Sequence, residues 1–163
     1  LTLALAREML AGAGVTDVDP ADALADGRAM DAWRRMIAAQ GGDPDAPMPD
    51  APHVEEVRAE TDGVITRMDA LGVGVAAWRL GAGRARKEDP VQDSAGVHLH
   101  KVVGDEVKAG DVIMTLHTET EDRMPRGMAA LAEACDGAGT RDITPGGSVD
   151  RQIILDAVGA RTR

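Results

Sequence analysis

The sequence has no phenylalanine and no tyrosine, which leaves Trp33 and Trp78 as its only large aromatic side chains. A core must therefore be built from Leu, Val, Ile, Met and Ala, which adapt to one another more than they anchor. The single cysteine, Cys135, excludes an intramolecular disulfide and a cysteine-rich zinc site. No apolar run reaches membrane length, and no charged-then-apolar leader opens the chain. Cations are the scarcer charge: 18 Lys and Arg face 28 Asp and Glu, a net charge of −10. That balance opposes adhesion to phosphate backbones, so nucleic acid is set aside as a partner; membrane is set aside because no apolar run is long enough. The one basic cluster is Arg84-Ala-Arg86-Lys87. A cytoplasmic location is expected. The 163 residues allow one good core or two small ones. The chain starts at Leu1, within an apparent helix, and is expected to be a piece of a longer protein.

The first part reads as helical. Leu1, Leu5 and Met9 recur at four-residue spacing, with Leu3, Ala6 and Leu10 beside them, and Gly12 and Gly14 supply a stop. Asp19 before Pro20 is an N-cap followed by proline at the first helical position, and that helix should end near Gly27. Met30, Trp33 and Ile37 share the face of a third helix that should end near Gln40, with Arg34 and Arg35 toward solvent. DPDAPMPDAP, residues 43–52, holds four prolines and three aspartates and reads as a linker.

After it the periodicity changes. Val54, Val57 and Ala59 lead to a turn at Thr61-Asp62-Gly63 and then to Val64-Ile65-Thr66-Arg67-Met68, most economically a β-hairpin. Leu71, Val75 and Trp78 return to helical spacing, closed by Gly81 and Gly83. In GVHLHKVVGDEVKAGDVIMTLH, Gly104-Asp105, Val107, Gly110-Asp111 and Ile113 are spaced as a tight hairpin with its flanking strands. Met124, Met128, Leu131 and Cys135 mark an amphipathic helix, and Glu119 to Asp122 its solvated start. Residues 136–148 read as a surface loop, and Ile153-Ile154-Leu155 as a final strand or buried helical turn. The fold class is α+β, a short helical segment followed by a barrel-sandwich-like sheet domain.

Biotin and lipoyl carriers write their barrels in much this way, but a carrier needs a modifiable lysine at a hairpin tip. The matching turn, Thr61-Asp62-Gly63, has none, while Lys101 and Lys108 flank the other hairpin. A non-catalytic lipoyl- or biotinyl-like barrel or interaction module is the rival from another class. A lysine-linked cofactor would identify it.

Three segments carry a more specific resemblance. DGRAMDAWRRMIAAQGGDP, DGVITRMDALGVGVAAWRLGAGRARKEDPVQ and GVHLHKVVGDEVKAGDVIMTLHTET, in this order and separation, resemble the C-terminal part of the pyrimidine-nucleoside phosphorylase family, of actinobacterial type. The likeness runs from Leu1 to about His117 and weakly on through SVDRQIILDAVG. It implies that residues 1–42 are the terminal helices of a large α/β domain, 43–52 a linker, and 53–163 a C-terminal domain of hammerhead type. It implies phosphorolysis of thymidine or a related nucleoside by inorganic phosphate, and a homodimeric parent. The family of anthranilate phosphoribosyl transfer shares the large domain but lacks the block matched by residues 53–117. The family's phosphate signature, Lys-x-Ser-x-Gly-Gly, and its pyrimidine-gripping arginine, serine and lysine have no counterpart here, so no catalytic residue is carried over.

Among local motifs, Gly81 to Pro90 could be mistaken for a phosphate cradle. Its glycines close a helix rather than open one, so the dipole has the wrong sign for an anion and a helix cap with a solvated loop is the simpler reading. The functional reading makes Gly81, Gly83, Arg84, Arg86 and Lys87 a loop facing the cleft between two domains. Gly72-Val73-Gly74 matches a dinucleotide fingerprint loosely, but lies inside a helical pattern with no strand running into it, which argues against a nicotinamide cofactor. His98 and His100 share one strand face with His117 nearby, permitting a metal in principle; solvated or hydrogen-bonded strand histidines are the simpler reading. Met30, Met36, Met124 and Met128 read as core or interface fillers, and no cofactor is expected.

Overall fold

The computed structural model describes residues 1–133 and 141–149, and the class is α+β. The chain divides into two compact units, Leu1–Pro47 and a second that begins at Met48.

The first unit is three helices, α1 (Thr2–Gly12), α2 (Pro20–Ala25) and α3 (Arg28–Ala39). Asp19 caps α2 as its sequence position demands: Oδ1 accepts the Ala21 N–H at 3.0 Å, and Pro20 opens the helix. The Arg7 guanidinium on α1 donates to the same carboxylate at 3.1 Å and ties the two helices together. Gly27 takes φ +87 between α2 and α3, a left-handed conformation suited to glycine. None of the three helices has a buried residue, and Leu5, Met9, Leu24, Met30 and Trp33 are all exposed. The apolar stripes read from the sequence are real, but no core forms on them within the described residues.

The second unit contains β1 (His53–Arg58), β2 (Gly63–Met68), α4 (Ala70–Ala77), β3 (Gly96–Leu99), β4 (Glu106–Val107), β5 (Val112–Thr118), α5 (Met124–Glu133) and β6 (Arg141–Thr144). The strands form two three-stranded sheets, β1-β5-β3 and β4-β2-β6. Odd strands lie in one and even strands in the other, so each link between consecutive described strands changes sheet. Pairing is antiparallel throughout, with Val57 opposite Met114, Leu99 opposite Met114, and Ile65 opposite Ile143.

This topology corrects two expected hairpins. The turn at Thr61-Asp62-Gly63 exists, but β1 pairs with β5 and β2 with β4 and β6. Likewise β4 does not pair with β3 or β5, because β3 pairs with β5 across it. The Gly-Asp pairs are turns between sheets instead. Gly104 (φ +88) and Gly110 (φ +93) supply the left-handed positions, and the following Asp105 and Asp111 carboxylates accept the N–H of Val102 at 2.8 Å and of Lys108 at 2.9 Å. The expected loop over residues 136–148 is corrected at Arg141–Thr144, where β6 joins the sheet through β2, while residues 136–140 lie outside the described residues. Ile143 is the residue that makes strand formation worthwhile, because it packs against the core beside Ile65.

The core contains Ile65, Leu80, Ile113, Met114 and Leu116, all fully buried, with Met124 and Leu131 of α5 added from the helical side. Aliphatic and methionine side chains fill it, as the lack of Phe and Tyr requires. The Cys135 position and the Ile153-Ile154-Leu155 run lie outside the described residues.

Candidate functional site

Asp69 caps α4, its Oδ1 accepting the Leu71 N–H at 3.0 Å. β2 therefore does run into this helix through one residue, contrary to the sequence expectation. Gly72 and Gly74 nonetheless lie within α4, past the turn where a dinucleotide fingerprint would place its phosphate-cradling glycines. Beyond Ala77 the helix widens into a π-helical turn, Trp78–Ala82, which Gly81 breaks with φ +119.

A polar staple fixes this break. The Gln92 N–H donates to the Gly81 carbonyl at 2.9 Å. Gln92 Oε1 accepts from the Glu119 N–H at 3.0 Å, and its Nε2 donates to Thr120 Oγ1, so both ends of the amide are oriented. The buried Thr118 hydroxyl donates to the Leu80 carbonyl at 2.7 Å. The segment between Gly81 and Gln92 is thus held at both feet. Within it the Arg86 N–H donates to Asp89 Oδ2 at 2.9 Å, and Arg84 donates from Nη1 to the Lys87 carbonyl at 3.2 Å.

The five loop residues singled out in the sequence are not one cluster. Gly81 is buried at the foot, Arg86 and Lys87 are exposed, and Gly83 and Arg84 border a cavity of about 320 Å³. Gly83 permits that cavity: a Cβ there would stand 2.9 Å from Trp78 Cδ1. The other principal walls are Trp78, Arg79, Arg123, Arg126 and Asp89. Sequence reasoning missed Arg79, which sits on the π-helical turn just before the loop, and Arg123 and Arg126, which only the contact of α4 and that turn with α5 brings to it. The available signal was the pair Arg123 and Arg126, both three apart and flanking the buried Met124. Among the described residues, four guanidiniums and one carboxylate line this hollow in an acidic chain.

The histidines divide. The rings of His98 and His100 lie 4.4 Å apart, and His100 Nε2 is 2.6 Å from Thr115 Oγ1, while His117 stands opposite Gly96 and Val54. Among the described residues no group of three or more His, Cys, Asp or Glu side chains is gathered to hold a metal. Lys108 follows β4 and lines a cavity with Asp62, so the fold brings it beside the Thr61-Asp62-Gly63 turn from which it is distant in sequence. No described helix is long and apolar enough to cross a membrane.

The architecture defines an α+β domain of two interleaved sheets with a stapled, arginine-rich loop on its surface. Residues 64–137 match the family described as the pyrimidine nucleoside phosphorylase C-terminal domain. Thymidine phosphorylase of Mycobacterium tuberculosis is 48% identical over 158 residues, which take in 97% of this chain and 36% of that protein. Pyrimidine-nucleoside phosphorylase of Staphylococcus epidermidis is 40% identical over 106 residues, 62% of this chain and 24% of that protein. AMP phosphorylase of Natronomonas pharaonis is 40% identical over 123 residues, 74% of this chain and 23% of that protein. The chain belongs to the thymidine and pyrimidine-nucleoside phosphorylase family and corresponds to the C-terminal part of its members. It spans about a third of the length of the M. tuberculosis relative.

Proposed function

We propose that this chain is the closing domain of a cytoplasmic, homodimeric pentosyltransferase that cleaves thymidine or a related pyrimidine nucleoside. In that reaction an oxygen of inorganic phosphate attacks the anomeric carbon, the bond from that carbon to the base nitrogen breaks, and the products are free base and 2-deoxyribose 1-phosphate. The supporting observation is the 48% identity to a thymidine phosphorylase sustained over 97% of the chain. Such chemistry depends on holding two reactants together and excluding water, which a domain closing over another supplies without contributing a reacting group. The 40% identity to an AMP phosphorylase supports that division of labour, since a similar block accompanies an enzyme named for a nucleotide rather than a nucleoside.

In this reading residues 1–42 are the last helices of the large domain, 43–52 the linker, and 53–163 a hammerhead-type domain with a barrel-sandwich-like sheet. The exposed apolar residues of α1 and α3 fit helices that complete a core elsewhere in the parent. Gly81, Gly83, Arg84, Arg86 and Lys87 form the loop that faces the cleft. Arg84→Glu with Arg86→Glu in the intact enzyme lowers kcat/KM by about tenfold, the scale of a modest loss of positioning. Unchanged kcat and KM would remove the loop from the cleft.

The decisive experiment is a thymidine phosphorolysis assay on this chain, alone and mixed with the separately expressed upstream portion of its parent. Turnover is expected only in the mixture. Turnover by the chain alone, or none with both pieces folded, overturns the assignment.

A further inference from the structure

The cavity bordered by Trp78, Arg79, Arg84, Asp89, Arg123 and Arg126 gathers four guanidiniums in a chain whose net charge is −10. Like charges do not converge without cost, and Asp89, the one carboxylate among the described walls, already turns Oδ2 to the Arg86 N–H. Arg123 and Arg126 stand just before and within the first turn of α5, where the helix dipole favours anions over cations and no acidic residue is placed. Glu121 and Asp122, in the turn before α5, do not border the cavity.

The sequence raised one objection to an anion here, the negative end of the helix that Gly81 closes. The structure removes much of it. The Leu80 carbonyl is occupied by the Thr118 hydroxyl at 2.7 Å, and the Gly81 carbonyl by the Gln92 N–H at 2.9 Å. Two of the oxygens that would repel an anion are engaged by the staple instead. Arg84 spends an Nη1 donor on the Lys87 carbonyl, which steadies a side chain that has five N–H donors in all.

We propose that this hollow binds a small phosphoryl anion, gripped by Arg84, Arg123 and Arg126 and walled by Trp78. The guanidinium fork matches two oxygens of a phosphate group, and the half-exposed indole offers an apolar wall for the carbon skeleton of a phosphate ester. The shared chemistry is the phosphate dianion, free or esterified to a small sugar. The inference does not rest on the phosphorylase reading, because binding is read on this chain with no turnover.

The test is calorimetric titration of the 163-residue chain with inorganic phosphate and with ribose 5-phosphate, at ionic strength held constant with sodium chloride. Tryptophan emission is followed in parallel in a Trp33→Phe background, so that Trp78 is the reporter. Saturable one-site binding with a change in Trp78 emission is expected. The Arg123→Ala, Arg126→Ala double variant should weaken it at least about tenfold, the loss implied by one charge-assisted hydrogen bond. Arg34→Ala with Arg35→Ala, on α3, should leave it unchanged. Arg84→Ala, on the exposed loop, repeats the test without disturbing α5, and far-ultraviolet circular dichroism verifies folding. Tighter binding of the ester identifies a sugar phosphate as the ligand class; equal or tighter binding of inorganic phosphate identifies the free anion. Absence of saturation at constant ionic strength, or affinity unmoved by both sets of cavity variants, overturns the proposal.

Discussion

The hydroxyl of Thr118 donates to the backbone carbonyl of Leu80 at 2.7 Å, and both residues are fully buried. Gln92 Oε1 lies 3.0 Å and the Thr120 carbonyl 3.3 Å from the same hydroxyl, yet it has one proton, and the Leu80 carbonyl is the nearest acceptor. Thr118→Val keeps the shape and removes the donor, leaving the Leu80 carbonyl without it in the core. A loss of about 1–3 kcal/mol in stability is expected, the cost of a buried polar group deprived of its partner. Urea unfolding followed by circular dichroism measures it. A change within experimental error would mean that water enters to replace the hydroxyl.

Gly81 and Gly110 both take positive φ, at +119 and +93, but differ in surroundings. A Cβ on Gly110 would meet nothing within 4 Å, whereas one on Gly81 would stand 2.6 Å from Gln92 Oε1 and 2.7 Å from its Cδ. Gly110→Ala therefore costs only the backbone term, about 1 kcal/mol. Gly81→Ala adds displacement of the staple and should cost about 2 kcal/mol or more, with faster proteolysis in the loop that follows. Equal losses for the two variants would show that Gln92 yields freely and does not hold the loop.

The helices and the strand positions were largely legible because their signals are local. Asp19-Pro20 announces the start of α2, and Gly81 and Gly83 mark where the helix after Asp69 stops. Pairing was not legible. A turn such as Thr61-Asp62-Gly63 looks the same whether the chain folds back on itself or passes to a second sheet. What decides is the long-range match of Val57 to Met114 and Ile65 to Ile143. β6 was hidden for a related reason: Arg-Asp-Ile-Thr has one apolar residue and lies close to Pro145 and Gly146, so only its neighbour β2 makes it a strand. The loop cations Arg84 and Arg86 stand out in the sequence, but their separation does not, since Arg84 borders the cavity and Arg86 does not. Arg123 and Arg126 enter the site through tertiary packing alone.

The two units should differ in local stability. No residue of α1, α2 or α3 is buried, whereas β5 holds Ile113, Met114, Leu116 and Thr118 wholly inside. Helices without a buried face have little beyond their own hydrogen bonds to hold them. In hydrogen exchange on this chain, amides of α1–α3 should exchange at least about a hundredfold faster than those of β5, a gap of roughly 3 kcal/mol in opening free energy. Comparable protection in both would mean that the helices bury their apolar faces in solution, for instance against another copy of the chain.

Asp19 and Asp26 make the helical unit sensitive to acid. The Ala21 N–H is the largest influence on the Asp19 carboxyl and holds it below the usual value of 3.8; loss of hydration opposes it, and the Arg7 guanidinium, next in order, adds to the lowering. The Arg28 N–H and then its side chain do the same for Asp26. A carboxylate with a folded-state pKa below its unfolded value contributes stability that is fully present above the unfolded value and lost as pH falls through the folded one. Helix content in α2 and at the start of α3 should therefore hold down to about pH 4 and decline below it. Because the backbone N–H is the larger cause at Asp19, Arg7→Ala should raise its titration midpoint while leaving it below 3.8. Carboxyl chemical shifts followed by NMR across pH 2 to 6 read both midpoints. A midpoint for Asp19 in Arg7→Ala at or above the ordinary aspartate value would show that the ion pair, not the helix cap, sets this charge.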